Sequence, residues 1–226
     1  MLNNFISYSQ FYEDLILFAL FFDIKNGFYI DVGANDPNIS ATKAFYLRGW
    51  YGINIEPLPN MFNMLLKYRK KDINLQIGVG EKEGNQTLYL NGTDSTLNKN
   101  YSNHANSKLN ISIYTMKYIL NKYVPKNEII QFCKMNIEGC KKNVLLGYDF
   151  ENHRPKIFCI KSTKPGTGIS NHEEWEYLLL ENNFSFAFQY KINRFYIDNR
   201  IKGLRERFIL SENSIKYYSE KIKNYI

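Results

Sequence analysis

Two carboxylates close apolar runs early in the chain: Asp31 in GFYIDVGAND and Glu56 in YGINIEP, with Gly33 just past the first run. Glu56 lies 23 residues beyond Gly33, near the spacing at which a strand-end acid accepts hydrogen bonds from both hydroxyls of a ribose. Gly33 lets the backbone turn tightly and approach a ligand. Asp31, at a strand end, is expected to point its side chain into the same crevice. The dinucleotide fingerprint needs three glycines here and only Gly33 is one, so a pyrophosphate finds little room.

A nucleoside without phosphates suits this loop better. S-adenosylmethionine (SAM) is such a ligand, and Asp31 could sit near the ammonium of its amino-acid end. The alternative for both acids is helix capping, a common duty of strand-end carboxylates.

A second constellation lies in CKMNIEGCKKN, residues 133–143, where an apolar run ends in the lone carboxylate Glu138, followed by Gly139, Cys140, Lys141 and Lys142. A hydroxyl acceptor in a group transfer benefits from a base by about 10²–10⁴-fold. Glu138 can be that base. His172 and His104 are alternatives because histidine titrates near the working range, although lone histidines commonly serve at surfaces or helix ends. Asn136 has no useful proton affinity but can hydrogen-bond an acceptor through either end of its amide. Glu138-Gly139 also has a local reading: a strand-to-helix turn needs a permissive residue, and an acid ahead of a helix complements its dipole.

The elements that must hold these residues alternate. YSQFYEDLILFALFFDI reads as a helix with Ser9 as a possible N-cap and Glu13 and Asp14 in its first turns. GFYIDV is a strand, ISATKAFYLRGW a helix, YGINIEP a strand, NMFNMLLKYRKK a helix and INLQIGVG strand-like. YTMKYILNKY is helical, EIIQFCKMNI a strand, CKKNVLLGYD a helix, PKIFCIKS a strand and HEEWEYLLLENN a helix. FSFAFQY and RFYIDN close the chain's core as a hairpin around Lys191-Ile192-Asn193. Such alternation predicts an α/β fold with a mostly parallel, doubly wound sheet, into which the hairpin places an antiparallel strand. The polar segment LNGTDSTLNKNYSNHANSKLN has no clear period and sits where active-site loops of such folds occur.

At 226 residues the chain fits one domain: a helical segment over 1–26, a ligand-binding core over 27–198 and a basic helical tail over 199–226. The net charge of +7 permits an anionic partner without specifying one. Neither a groove-entering motif nor a base-stacking platform speaks for nucleic acid. Cys133, Cys140 and Cys159 show no metal-ligand pairing and fit a reducing cytoplasm. LILFALFF is too short to span a bilayer and follows acids rather than a basic segment. A cytoplasmic protein with no bound metal is expected.

Taken in order, YSQFYEDLIL, GFYIDVGANDP, RGWYGINIEP, STLNK, IEGCKKNVLLGYDFENHRPKIFCI and NRFYIDN resemble the FkbM-type SAM-dependent methyltransferases, from roughly Tyr8 to Phe208. The resemblance implies a Rossmann-like class I methyltransferase sheet with SAM across the ends of the first strands. It also implies methyl transfer, usually to oxygen, on small molecules, surface glycans or lipid precursors. By residue match, Asp31, Gly33, Ala34 and Asn35 would line the methionine end of SAM, Glu56 would hold the ribose, and Gly78-Val79 would face the adenine. Ser95 and Thr96 would lie near the mouth of the site. The departures gather in one place. Where the family commonly has Asp-x-Glu-Gly-x-Glu, this chain has Asn136-Ile137-Glu138-Gly139-Cys140-Lys141, and Lys161 stands where Glu is usual.

Three readings follow. The chain is an active methyltransferase in which Lys141 and Lys161 bind an anionic acceptor. Or it is a degenerate relative that keeps the fold as a binding or regulatory partner, since a cation near a sulfonium is unfavourable. A nucleic-acid methyltransferase is the third, and it lacks a base-flipping motif.

Overall fold

A computed structural model describes residues 5–92, 95–102, 105–164 and 167–209. His104 and the tail beyond residue 209 lie outside the described residues. The main sheet has seven strands: β1 Phe28–Val32, β2 Tyr51–Ile55, β3 Ile73–Leu75, β7 Ile130–Met135, β8 Ile157–Lys161, β9 Phe184–Tyr190 and β10 Asn193–Asp198. Their order across the sheet is β3-β2-β1-β7-β8-β10-β9. The pairs from β3 to β8 are parallel, and β10 runs antiparallel to both its neighbours. Chain order reverses between β1 and β7, which makes a crevice at the carboxyl ends of those two strands.

The helices are α1 Glu13–Phe21, α2 Lys43–Tyr46, α3 Pro59–Tyr68, α4 Met116–Tyr123, α5 Lys141–Leu146 and α6 Glu176–Glu181. Every residue of β1 and β7 is buried, as expected for parallel strands covered on both faces. The two-residue period divides them. Phe28, Ile30, Val32, Cys133 and Met135 face one core with Met116, Ile119 and Leu120 of α4, Val144 and Leu145 of α5 and Leu178 and Leu179 of α6. Tyr29 and Phe132 face the other, with Ile16, Leu17, Leu20 and Phe21 of α1 and Phe45 and Trp50.

A second sheet, not expected from the sequence, has the order β4-β6-β5, with β4 Gly78–Val79, β5 Gly84–Leu90 and β6 Ser107–Tyr114. INLQIGVG is therefore two strands in two sheets. Leu88, Ile111 and Ile113 form a small core of their own, against which Leu58 and Leu97 pack.

The first helix also begins later than expected. Ser9 is not its cap: α1 starts at Glu13 after Tyr12, whose φ is 58°. Instead the buried Asp14 carboxylate folds back to accept from the Ser7 and Ser9 hydroxyls, each at 2.6 Å, and from Tyr8 N at 2.7 Å. ISATKAFYLRGW keeps only the four-residue α2 as α-helix.

Candidate active site

Register brings the site together. Val32 pairs with Ile55 of β2 and with Met135 of β7, so the three strands end at one level and Gly33, Glu56 and Asn136 follow side by side. At Gly33 (φ +76°) a Cβ would come closer than 3.0 Å to the Asn136 carbonyl oxygen; only glycine lets the turn after β1 pass so near the end of β7. The amides of Gly33 and Ala34 both donate to Ile55 O, at 3.0 and 3.1 Å.

A cleft opens there. The carboxyl ends of β1, β2 and β7 form one side, with Gly33, Asn35, Glu56, Asn136 and Glu138. The second sheet and the loop after β5 form the other, with Gly78, Val79, Leu88, Ser95, Thr96 and Leu97. Pro57, Leu58, Ile77, Ile137 and Cys140 complete the wall. It is mainly apolar with a few converging polar groups, the usual character of a small-molecule site.

Glu56 is buried, and each carboxylate oxygen accepts one backbone amide: Oε2 from Asn35 N at 2.8 Å and Oε1 from Leu58 N at 2.9 Å. Burial pushes its pKa up, opposed by those two amides. Each oxygen keeps a second lone pair, the arrangement a vicinal diol requires.

At the far end, Glu138 is 5% exposed. Its Oε1 is ion-paired with Lys161 Nζ, and its Oε2 has no hydrogen-bond partner among the described residues. The backbone around it is tied to the loop after β5. Thr96 Oγ1 donates to Glu138 O at 2.8 Å, and Asn98 Nδ2 donates to Gly139 O at 3.1 Å. Gly139 (φ +70°) makes the turn into α5, where a Cβ would meet the Tyr101 ring at 2.6 Å. The Cys140 thiol is pushed up to about 11 by burial, which leaves it a protonated wall residue and not a nucleophile.

Of the residues singled out from sequence, Gly33, Asn35, Glu56, Gly78, Val79, Ser95, Thr96, Asn136 and Glu138 share this cleft. Ala34 turns its side chain into the protein, 3% exposed. Asp31 takes a different place from the one expected. It shares the α1–α2 face with Tyr29, two residues before it, so its side chain is fully buried behind the crevice. There its carboxylate accepts from Lys134 Nζ at 2.9 Å, Thr42 Oγ1 at 3.1 Å and Ser40 Oγ at 3.3 Å. Burial opposes the charge of Lys134, but Asp31 outweighs it and raises the lysine's pKa.

His172 also falls outside the cleft lining, in a 3-10 turn, with Nδ1 2.7 Å from Ser170 Oγ and Nε2 3.7 Å from Glu176 Oε2. Lys141 and Lys161 stand behind Glu138 rather than in the lining. Sequence reasoning missed Leu58, Leu88, Leu97 and Cys140: Leu88 and Leu97 come from β5 and the loop after it, Leu58 and Cys140 from the turns into α3 and α5, and an apolar residue in a loop gives no periodic signal. Among the described residues, no group of three His, Cys, Asp or Glu is arranged to hold a metal ion.

The strand order, the switch-point crevice and an acid at the end of β2 define a Rossmann-like methyltransferase fold. The family model described as the Methyltransferase FkbM domain matches residues 31–186, and the chain belongs to that family. No curated protein and no solved structure matches it.

Proposed function

We propose that the protein is a SAM-dependent O-methyltransferase acting on a small-molecule, glycan or lipid-precursor acceptor. The cleft suits the cofactor: Gly33 holds the turn after β1 close against the end of β7, and Glu56 offers two oxygens at a strand end. The apolar faces of Ile77, Val79 and Leu97 suit a flat base. Bound there, SAM supplies a methyl group on a sulfonium, open to in-line displacement.

The chain's own residues do the rest. Glu56 holds the ribose. Asn136 orients the acceptor hydroxyl through its amide. Glu138 takes the hydroxyl proton on Oε2 while Lys161 fixes the carboxylate through Oε1. Holding the two reactants aligned in a walled cleft supplies much of the rate in such displacements.

The observation that carries this reading is the half-paired carboxylate of Glu138 on the wall of a mainly apolar cleft at the ends of β1, β2 and β7. Free thiols at Cys133, Cys140 and Cys159 support a cytoplasmic setting, and no helix among the described residues is long and apolar enough to cross a membrane. Calorimetric titration with SAM, followed by methyl transfer from labelled SAM to a panel of phosphorylated and neutral sugars, tests the proposal. Absence of binding at millimolar SAM refutes it. The ion pair that occupies half of Glu138 also favours a second reading, a degenerate fold that binds without reacting. That reading wins if SAM binds and Asn136→Asp or Lys161→Glu creates activity the parent lacks.

A further inference from the structure

Lys141 opens α5, immediately after the Gly139-Cys140 turn, and is one of the largest fully buried side chains, 2% exposed. Its Nζ has no hydrogen-bond partner among the described residues, and neither has Glu138 Oε2. Buried polar atoms are nearly always satisfied, so an unpartnered ammonium beside a half-paired carboxylate needs an explanation.

We infer that Lys141 sets the net charge of the acceptor end of the cleft and thereby the site's preference between the sulfonium of SAM and the neutral thioether of its product, S-adenosylhomocysteine (SAH). The inference rests on SAM binding in this cleft and deepens that reading. Lys161 and Glu138 cancel as an ion pair and Glu174 is exposed to solvent, so the buried cluster carries +1 when Lys141 is protonated and zero when it is not. A positive cluster repels a sulfonium and is indifferent to a thioether. Being buried, the charge is screened far less than a surface lysine would be.

The groups that face Lys141 are Glu138 on the preceding turn, Lys161 at the end of β8, Cys140 next to it in the chain and Glu174 in the 3-10 turn before α6. Burial is the largest influence and pushes its pKa down; Glu138 opposes that and Lys161 reinforces it, leaving the ammonium at about 8. The switch therefore falls where enzymes are assayed. Near neutral pH the charged cluster favours release of SAM and retention of SAH, which makes product inhibition strongest there.

SAM and SAH share the adenine, ribose and amino-acid end, but the sulfonium lowers the ammonium pKa in SAM alone, so titration of the free ligands cancels between protein variants at one pH and not within the ratio itself. The experiment measures Kd(SAM)/Kd(SAH) by calorimetry from pH 7 to 9.5 for the parent, Lys141→Met and Lys141→Arg. Relative to Lys141→Arg at the same pH, the parent's ratio is expected to fall roughly three- to tenfold across pH 8, the order one unit charge gives in a partly desolvated site. The parent should match Lys141→Arg at pH 7 and approach Lys141→Met at pH 9.5. A parent that keeps a constant offset from both variants across the range, or one profile shared by all three proteins, overturns the inference while leaving the SAM site standing. If neither ligand binds, the SAM site itself is refuted and the inference goes with it. Should Lys141→Met fail to fold, parent against Lys141→Arg carries the test.

Discussion

Replacing Gly33 by alanine probes the turn on which the whole cleft depends. Two costs add. At φ +76° an L-residue adopts the left-handed region at about 1–2 kcal/mol. The new Cβ also lies closer than 3.0 Å to the carbonyl oxygen of Asn136, and beside Ile137. A backbone atom cannot rotate away as a side chain can, so β1 and β7 must part, at about 1–3 kcal/mol more. The sum, roughly 2–5 kcal/mol, corresponds to a Tm loss on the order of 10 °C in a chain of this size. Gly203 supplies the control: its φ is +78° and nothing lies within 4 Å of a built Cβ. Gly203→Ala should therefore show the backbone cost alone, a Tm loss of a few °C. Thermal unfolding of the two variants reads the difference, and SAM titration should show at least a tenfold weaker affinity for Gly33→Ala only. Equal Tm losses, or full stability in Gly33→Ala, would refute the claim that close approach to β7 demands glycine.

Three more outcomes are expected. Glu138→Gln should reduce methyl transfer by about 10²–10⁴-fold while leaving SAM affinity within about threefold; undiminished turnover of a responsive acceptor would remove Glu138 as the base. Asp31→Ala strands the buried Lys134 ammonium and should cost about 3–5 kcal/mol in urea unfolding, most of which the double variant Asp31→Val, Lys134→Met recovers, because a buried pair is near neutral against apolar replacements. Lys141 gives a pH signature in stability: its folded-state pKa of about 8 lies below the ordinary 10.5, so between those values the unfolded chain holds the extra proton and stability rises with pH. Relative to Lys141→Met, the parent should gain roughly 3 kcal/mol from pH 8 to 10.5; a parallel pH dependence of the two proteins would contradict the burial of an unpartnered amine.

The seven main strands were legible because each is an apolar run bounded by turn residues, and parallel strands buried on both faces announce themselves that way. The second sheet was not. β5 is mostly exposed and β6 alternates weakly, so GNQTLYL and SKLNISIY read as polar connections. The ends of β1 and β2 gave Gly33 and Glu56 correctly as cleft residues, since glycine and strand-end acids carry positional meaning. Asp31 did not follow, because strand parity decides which way a side chain faces and the sequence alone left the final residue of β1 open. Lys161 was visible as an unexpected base, but its pairing with Glu138 depends on β8 lying beside β7, a tertiary fact.

Thr96 exchanges two backbone hydrogen bonds with Tyr89 and gives its hydroxyl to the backbone of Glu138. The loop that closes the cleft is thus fastened at its middle to the very turn that presents the carboxylate. Anyone who redesigns residues 91–106 inherits that fastening: a graft that drops Thr96 alters the wall and displaces Glu138 in one stroke, so the wall and the carboxylate cannot be varied as separate modules unless Thr96 and its neighbour in the tie, Asn98, are kept.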